Sequence, residues 1–255
     1  MAAERPGDRW AVPVLRARAG GPAERFAAWI GVRHPAAVFF AALLAGFVAL
    51  AAVSALLGLL VTDVLVRVDD IGRTDASTIE TIAAERTPWL TDVSEVGSAA
   101  GGAPVLPVLV GLIALVCAVL RKWRIAAFAV FVLVVESATY RVTTLLAPRD
   151  RPGVERLEDL PADASYPSGH TAAAIAVYIG LVLLLTSALP GRRLRLAAWG
   201  VAFVLPVLVA ASRMYRGMHH PLDVAGGFVV GAGAVLVLLF ACRAAGARAA
   251  AAQPA

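Results

Sequence analysis

Long apolar runs without Asp, Glu, Lys or Arg are the feature that most restricts how this chain can fold. Residues 35–62 and 96–120 are two such runs, with 28 and 25 residues. A helix needs about 20 mainly apolar residues to cross the hydrocarbon core of a bilayer. Because backbone groups in hydrocarbon must be hydrogen-bonded within their own segment, each such run is expected to be a membrane-spanning helix.

The composition agrees with a membrane-embedded fold and excludes an ordinary water-soluble enzyme. Of the 255 residues, 60% are hydrophobic and 16% are charged, against roughly 45–50% and about 25% in soluble domains. We therefore predict an all-α fold, a bundle of six transmembrane helices, over residues 35–242, with tails over 1–34 and 243–255. The six runs are residues 35–62, 96–120, 125–147, 169–189, 196–212 and 224–242.

The distribution of Lys and Arg predicts how this bundle is oriented. The side that carries both termini has 14 of these residues, and the opposite side has eight. Because positive charge favours the cytoplasmic side, both termini are predicted to be cytoplasmic in a bacterial plasma membrane, with residues 63–95, 148–167 and 213–220 outside. The basic residues form no stripe with interleaved aromatic residues, so the net charge of +5 does not indicate nucleic-acid binding.

Three polar clusters lie at the predicted outer ends of the third to sixth helices. They cover residues 147–152, 166–171 and 212–223. Short connections make these helices neighbours in the bundle, so the three clusters are expected to meet at one point on the outer surface. Charged residues at membrane depth are costly, which makes such a point a candidate functional site.

The clusters contain the groups that hold a phosphate. Arg151 and Arg213 carry planar guanidinium groups that suit bidentate binding of phosphate. Ser168 and Gly169 lie where the fourth predicted helix begins, and free backbone N–H groups at a helix start favour an anion.

The same clusters contain the groups for nucleophilic and acid–base chemistry. His219 and Asp223 are four residues apart at the start of the sixth helix, and therefore on one face of it. The carboxylate is expected to hold one imidazole nitrogen and leave the other free to attack. His170 supplies a second imidazole that can protonate a leaving oxygen. These two histidines and Asp223 could instead bind a metal ion, because the ligand types permit it.

Two of the clusters carry complete motifs of a known family. The chain resembles the type-2 phosphatidic acid phosphatase superfamily, membrane lipid-phosphate phosphatases related to vanadium haloperoxidases and bacterial acid phosphatases. Residues 167–170 read Pro-Ser-Gly-His, and residues 212–223 read Ser-Arg-x5-His-x3-Asp. The family's remaining motif, Lys-x6-Arg-Pro, is present only at its end, as residues 151–152.

The resemblance implies a reaction and assigns its residues. His219 would attack phosphorus to form a phosphohistidine, supported by Asp223, and His170 would protonate the leaving group. Arg151, Arg213, Ser168 and Gly169 would hold the phosphoryl oxygens, with no metal or other cofactor. The expected partners are the bilayer and a lipid phosphate or diphosphate, with undecaprenyl diphosphate first and phosphatidic acid or phosphatidylglycerol phosphate next.

The missing lysine is the departure from the family pattern. Its position falls on Thr144, which has a hydroxyl but no charge. Arg141, one turn earlier, and Arg149, two residues before Arg151, are candidates to supply the lost charge, and Arg149 is favoured because it is already in the loop. Two other functions stay open: a phosphotransferase that uses the same site, and a catalytically silent lipid-binding or transport protein.

Overall fold

The structure is a computed structural model that describes residues 12–31, 34–189 and 191–252. These residues form helices and loops, and their β-structure is one isolated bridge between Arg149 and Ala164, so the predicted all-α fold is confirmed. The helices are α1 (Pro22–Trp29), α2 (Pro35–Leu59), α3 (Asp69–Ala84), α4 (Pro88–Ala99), α5 (Val105–Val119), α6 (Trp123–Leu146), α7 (Gly169–Ala174), α8 (Gly180–Ala188), α9 (Arg192–Tyr215) and α10 (Pro221–Ala251).

Five helical segments of the described chain are long and apolar enough to cross a membrane. α6, α9 and α10 are three of them; α2 forms the fourth together with the helical turns that follow it, and α7 and α8, joined by a π-helical turn, form the fifth. Many large apolar side chains on these helices are exposed, among them Leu44 and Phe203. Such surfaces require a hydrocarbon environment, which supports the predicted membrane-protein character.

The second predicted span differs from the sequence-based expectation. Residues 96–120 are divided between the end of α4 and α5, and α5 itself has only 15 residues. The break falls at Gly101, Gly102 and Pro104, because glycine weakens a helix and proline cannot donate a backbone hydrogen bond within it. A sixth crossing therefore stays a prediction.

The segments on either side of the predicted membrane domain continue into the bundle. α10 runs without a break through residue 243 to Ala251. Leu15, Ala23 and Ala27 are buried in the main hydrophobic cluster, where α1 contacts α10. The described parts of the two predicted tails therefore pack on one another, while residues 1–11, 32–33 and 253–255 lie outside the described residues.

α10 is the helix that positions the rest of the bundle, since it contacts α1, α2, α6 and α7. Glycines permit two close approaches. A Cβ at Gly233 would lie 2.3 Å from Cδ1 of Leu50 on α2, and a Cβ at Gly227 would lie 2.6 Å from the carbonyl oxygen of Ser168. The second contact seats the beginning of α7 directly against the beginning of α10.

Candidate active site

The loop between α6 and α7 folds back on itself and joins the three polar clusters. The backbone N–H of Arg149 donates to the carbonyl of Asp163 at 3.1 Å, and that of Arg151 donates to the carbonyl of Ala162 at 2.9 Å. The N–H of Ser168 donates to the carbonyl of Asp223 at 2.9 Å. The structure thus brings the three clusters together at one end of the bundle.

A cavity of about 300 Å³ lies at this meeting point. Arg151, Gly169, His170 and His219 all line it. Part of its wall is apolar, from residues such as Leu106, Leu133 and Ala173, and α6 adds a polar strip of Glu136, Ser137 and Tyr140. The cavity therefore combines cationic and imidazole groups with an apolar wall, as a lipid phosphate requires.

His219 is almost completely buried and is held through its Nδ1 atom. Nδ1 lies 2.7 Å from the carbonyl oxygen of Ser165, so it carries the proton and donates it there. Nε2 is then the unprotonated nitrogen, and it accepts a hydrogen bond from Nη1 of Arg151 at 3.5 Å. Burial, followed by the positive charge of Arg213, lowers the pKa of His219 well below its ordinary value, so the ring is neutral at pH 7.

The expected hydrogen bond between Asp223 and His219 is absent. The nearest pair, Oδ2 of Asp223 and Nδ1 of His219, is 3.9 Å apart. Asp223 instead accepts hydrogen bonds from the hydroxyl of Ser165 at 2.6 Å, from the N–H of His220 at 2.8 Å and from Arg149. Asp223 therefore acts on His219 through Ser165, whose carbonyl holds the imidazole.

Arg149 links two buried carboxylates instead of facing the cavity. One of its terminal nitrogens donates to Asp223 and the other donates to Asp75 on α3. The second oxygen of Asp75 accepts the N–H of Leu222, in the first turn of α10, at 2.9 Å. We call Asp75, Arg149 and Asp223 the anchor network.

Arg213 is completely buried, and some of its N–H donors have no hydrogen-bond partner among the described residues. Its Nη1 donates to the hydroxyl of Ser98 and to Oε2 of Glu158, both at 2.6 Å. Its Nε and Nη2 have no hydrogen-bond partner among the described residues. Burial alone would raise the pKa of Glu158, but the charge of Arg213 and hydrogen bonds from Arg213, Ser98 and Arg216 lower it to about 2.

Arg151 is fixed by the loop it belongs to. Its three nitrogens donate to the backbone carbonyls of Pro161, Ala164 and Met218 at 2.8, 3.0 and 2.6 Å. Each terminal nitrogen keeps a second N–H, because a guanidinium has five. Burial, followed by the charge of Arg213, lowers the pKa of Arg151. We call Arg151 and Arg213 the phosphate-side arginines.

The remaining predicted residues lie at the start of α7. His170 and Gly169 line the cavity, and a Cβ at Gly102 would lie 2.8 Å from Nε2 of His170. The side chain of Ser168 is buried and pairs with the hydroxyl of Thr171 at 2.9 Å, while its N–H serves Asp223. Both polar groups of Ser168 therefore have partners within the protein.

No candidate for the missing lysine has its side chain in the cavity wall of the described chain. The hydroxyl of Thr144 donates to the carbonyls of Tyr140 and Arg141 in its own helix. Arg141 is exposed on α6, and Arg149 belongs to the anchor network. The geometry therefore does not favour the expectation that Arg149 supplies the lost charge.

Several site residues were missed from the sequence. Ser165 and Glu158 lie in the polar loop, which marked the region but not the individual residues. Asp75 lies in a helix of ordinary polar composition far from the motifs, and no sequence signal separates it from Asp69 and Asp70. Among the described residues, no group of three or more His, Cys, Asp or Glu side chains has the geometry to hold a metal ion.

Comparison with known proteins agrees with the motifs. Residues 125–245, which contain every catalytic and phosphate-binding residue predicted from the motifs, match the PAP2 superfamily. This region of the chain is therefore a PAP2 superfamily region. The fold agrees with that of a solved structure, the first transmembrane PAP2-type phosphatidylglycerolphosphate phosphatase, from Bacillus subtilis. The two structures match with a TM-score of 0.63 and 25% identity, over 81% of this chain and 94% of that one.

Other PAP2-related proteins match over shorter lengths. Undecaprenyl-diphosphatase of Sulfolobus acidocaldarius is 41% identical over 75 residues, which are 29% of this chain and 32% of that protein. Phosphatidylglycerophosphatase B of Bacillus subtilis is 29% identical over 147 residues, 57% of this chain and 72% of that protein. The crystal structure of Aquifex aeolicus LpxE matches with a TM-score of 0.50 and 21% identity, over 64% of this chain and 93% of that one, which shows a shared fold.

Proposed function

We propose that this protein hydrolyses a lipid phosphate or diphosphate in the membrane, with His219 as the nucleophile. Nε2 of His219 attacks the phosphorus atom, so that an N–P bond forms while the bond between phosphorus and the leaving oxygen breaks. His170 gives its proton to that oxygen. Water then attacks the phosphohistidine, His170 takes up a proton from it, and inorganic phosphate leaves with Nε2 restored.

One observation carries this proposal: Nε2 of His219 lies 3.5 Å from Nη1 of Arg151 in the cavity that His170 also lines. A nucleophile must be unprotonated, and burial together with the nearby arginine charge keeps this imidazole neutral. The unpartnered Nε and Nη2 of Arg213 can bind phosphoryl oxygens. Such pre-organised donors stabilise the charge that develops during transfer without further rearrangement.

The substrate class is proposed from the relatives and from the cavity wall. Undecaprenyl diphosphate is our first choice because two matching proteins carry that activity in their names. They are undecaprenyl-diphosphatase of Sulfolobus acidocaldarius and undecaprenyl-diphosphatase BcrC of Bacillus subtilis. Phosphatidylglycerol phosphate is the second choice, from the names of phosphatidylglycerophosphatase B and of the Bacillus subtilis crystal structure. Phosphatidic acid is the third.

The proposed topology keeps six crossings, with α5 as the short one. Fifteen residues in a helix rise about 22 Å, less than the roughly 30 Å of the hydrocarbon core, and the exposed Trp123 just after α5 suits an interfacial position. Both termini are proposed to be cytoplasmic and the site to open outward. Accessibility of single introduced cysteines on either face tests this arrangement.

The function is tested by phosphate release from the detergent-purified protein in the presence of EDTA. The panel contains undecaprenyl diphosphate, phosphatidylglycerol phosphate and phosphatidic acid. We expect His219→Ala to lower release at least about 1,000-fold, because it removes the nucleophile. His34→Ala is the matched control, since His34 is exposed and caps α2 far along the chain from the motifs.

The same assay separates the alternatives. A phosphotransferase would pass the phosphoryl group to an added acceptor lipid and would release no stoichiometric phosphate in the absence of one. A silent lipid-binding or transport protein would release none from any substrate. Equal rates in His219→Ala and wild type would contradict the histidine mechanism, and loss of wild-type activity in EDTA would contradict a metal-independent reaction.

A further inference from the structure

The cavity contains a polar group on α6 that neither the family motifs nor the proposed mechanism uses. Tyr140 lies one turn before Thr144, the position where the family carries its lysine. Its aromatic ring packs against the start of α7: a Cβ at Gly169 would lie 3.2 Å from both Cδ2 and Cε2 of Tyr140. The side chain is half-buried and lines the cavity together with Arg151 and both histidines.

Tyr140 shares the cavity wall with Arg151, one of the phosphate-side arginines. Gly169 leaves room for the ring, because a Cβ at that position would lie 3.2 Å from it. Tyr140 therefore lines the cavity in which the phosphoryl group lies if the proposed function is right.

We propose that Tyr140 takes the place of the missing lysine and donates a hydrogen bond from its hydroxyl to the phosphoryl group. This inference rests on the proposed function. A phenol supplies a directed donor but no positive charge, so the phosphate-side arginines carry the full counter-charge of the substrate. A hydrogen bond between a neutral donor and a charged acceptor is still among the stronger ones in proteins.

The helix register explains why the replacement comes from this position. Residues four apart lie on the same face of a helix, so Tyr140 and Thr144 both point to the side of α6 from which a long lysine side chain would reach the site. Thr144 is too short to do so and donates to its own helix. Tyr140 has a longer, rigid side chain, and it lines the cavity.

The test compares Tyr140→Phe with Tyr178→Phe in the full-length, detergent-purified protein. Tyr178 is a second tyrosine of the bundle, and its hydroxyl donates to the carbonyl of Ala100. Two quantities are measured: the Kd for inorganic phosphate by isothermal titration, and kcat/KM for the best lipid substrate. We expect Tyr140→Phe to weaken phosphate binding and to lower kcat/KM about 10- to 100-fold, and Tyr178→Phe to leave the Kd unchanged.

A rescue variant separates binding from a merely structural role. Thr144→Lys, added to Tyr140→Phe, places an ammonium group at the family's lysine position. We expect it to restore phosphate affinity to at least the wild-type value, which a lysine would not do if the phenol only supported the fold. The inference is overturned if Tyr140→Phe and Tyr178→Phe bind phosphate equally well.

The outcomes distinguish this inference from the proposed function. If His219→Ala abolishes turnover while Tyr140→Phe changes neither the Kd nor kcat/KM, the function stands and the role of Tyr140 falls. If the wild type hydrolyses no lipid but binds inorganic phosphate, and Tyr140→Phe weakens that binding, the hydrolase function falls and the phosphate site stands.

Discussion

Two buried arginines of the candidate site, Arg149 and Arg213, differ in one respect. The guanidinium of Arg149, in the anchor network, donates to carboxylates at both terminal nitrogens. Arg213 pairs with one carboxylate through Nη1 and keeps Nε and Nη2 without partners among the described residues. Both arginines are expensive to bury, yet only one is fully compensated.

This difference distinguishes arginines that position the site from arginines that bind phosphate. The anchor network joins α3 to the first turn of α10, beside Ser165. Removing one partner from such a buried ion pair would leave an uncompensated charge, so the network holds these elements together. A buried donor without a partner costs stability, and proteins keep such groups where a ligand will use them. We therefore assign positioning to the anchor network and phosphate binding to the phosphate-side arginines.

Among the variants that test this difference between Arg149 and Arg213, the largest effect is expected from Arg213→Ala. Loss of two charge-assisted donors to the phosphoryl group should lower kcat/KM for lipid phosphate about 100- to 1,000-fold and weaken binding of inorganic phosphate. Arg213→Lys keeps the charge but loses the planar fork, so it should recover only part of the loss. Steady-state kinetics and phosphate titration measure both variants. An Arg213→Ala protein with wild-type phosphate affinity would contradict the assignment of phosphate binding to the phosphate-side arginines.

The next effect is on stability, from Asp75→Ala. This substitution leaves Arg149 with one carboxylate and the N–H of Leu222 without its acceptor. The expected loss is about 3 kcal/mol of unfolding free energy. The thermal midpoint in detergent and a denaturant titration measure it.

Asp70→Ala is the matched control in the same helix. Asp70 pairs with Arg73 at 2.7 Å, but both side chains are exposed, and such pairs contribute only about 0–1 kcal/mol. If the two variants lose equal stability, the anchor network is no stronger than a surface ion pair. If Asp75→Ala weakens inorganic phosphate binding as much as Arg213→Ala does, the two groups are not separate.

The sequence predicted the parts of the fold that depend on local pattern. Apolar runs gave the long helices, because helix formation in hydrocarbon is decided by composition and length. The break at residues 100–104 was missed because small residues are apolar on average, although Gly101 and Gly102 let the chain turn there. Motif spacing identified His170, His219 and Arg213, which the structure brings to one end of the bundle.

The contacts between distant segments could not be predicted in the same way. Asp75 meets Arg149 and Leu222 across 74 and 147 positions of the chain, and no local pattern encodes such a pairing. The spacing of His219 and Asp223 suggested a direct hydrogen bond, because residues four apart share a helix face. That bond does not form because α10 begins only at Pro221, so His219 precedes the helix and its ring turns to Ser165.

The smallest expected effect concerns Glu158, the carboxylate that pairs with Arg213, and it depends on pH. The pKa of Glu158 is about 2 in the folded protein, against an ordinary value of 4.5. Because its folded pKa is lowered, the stabilisation it provides is complete above pH 4.5 and is lost as the pH falls through about 2. We expect Glu158→Gln to cost about 1–2 kcal/mol at pH 7 and nearly nothing at pH 2, measured as thermal midpoints at both values.

Glu155→Gln is the control for this pH dependence, since Glu155 lies in the same loop and its side chain is exposed. It should follow the wild type at every pH, because replacing this exposed carboxylate removes no contact with Arg213. A constant difference between Glu158→Gln and wild type from pH 7 to pH 2 would mean that the carboxylate does not stabilise Arg213 by its charge. The buried arginine would then be compensated by its hydrogen bonds, among them the one to Ser98, and not by the charge of Glu158.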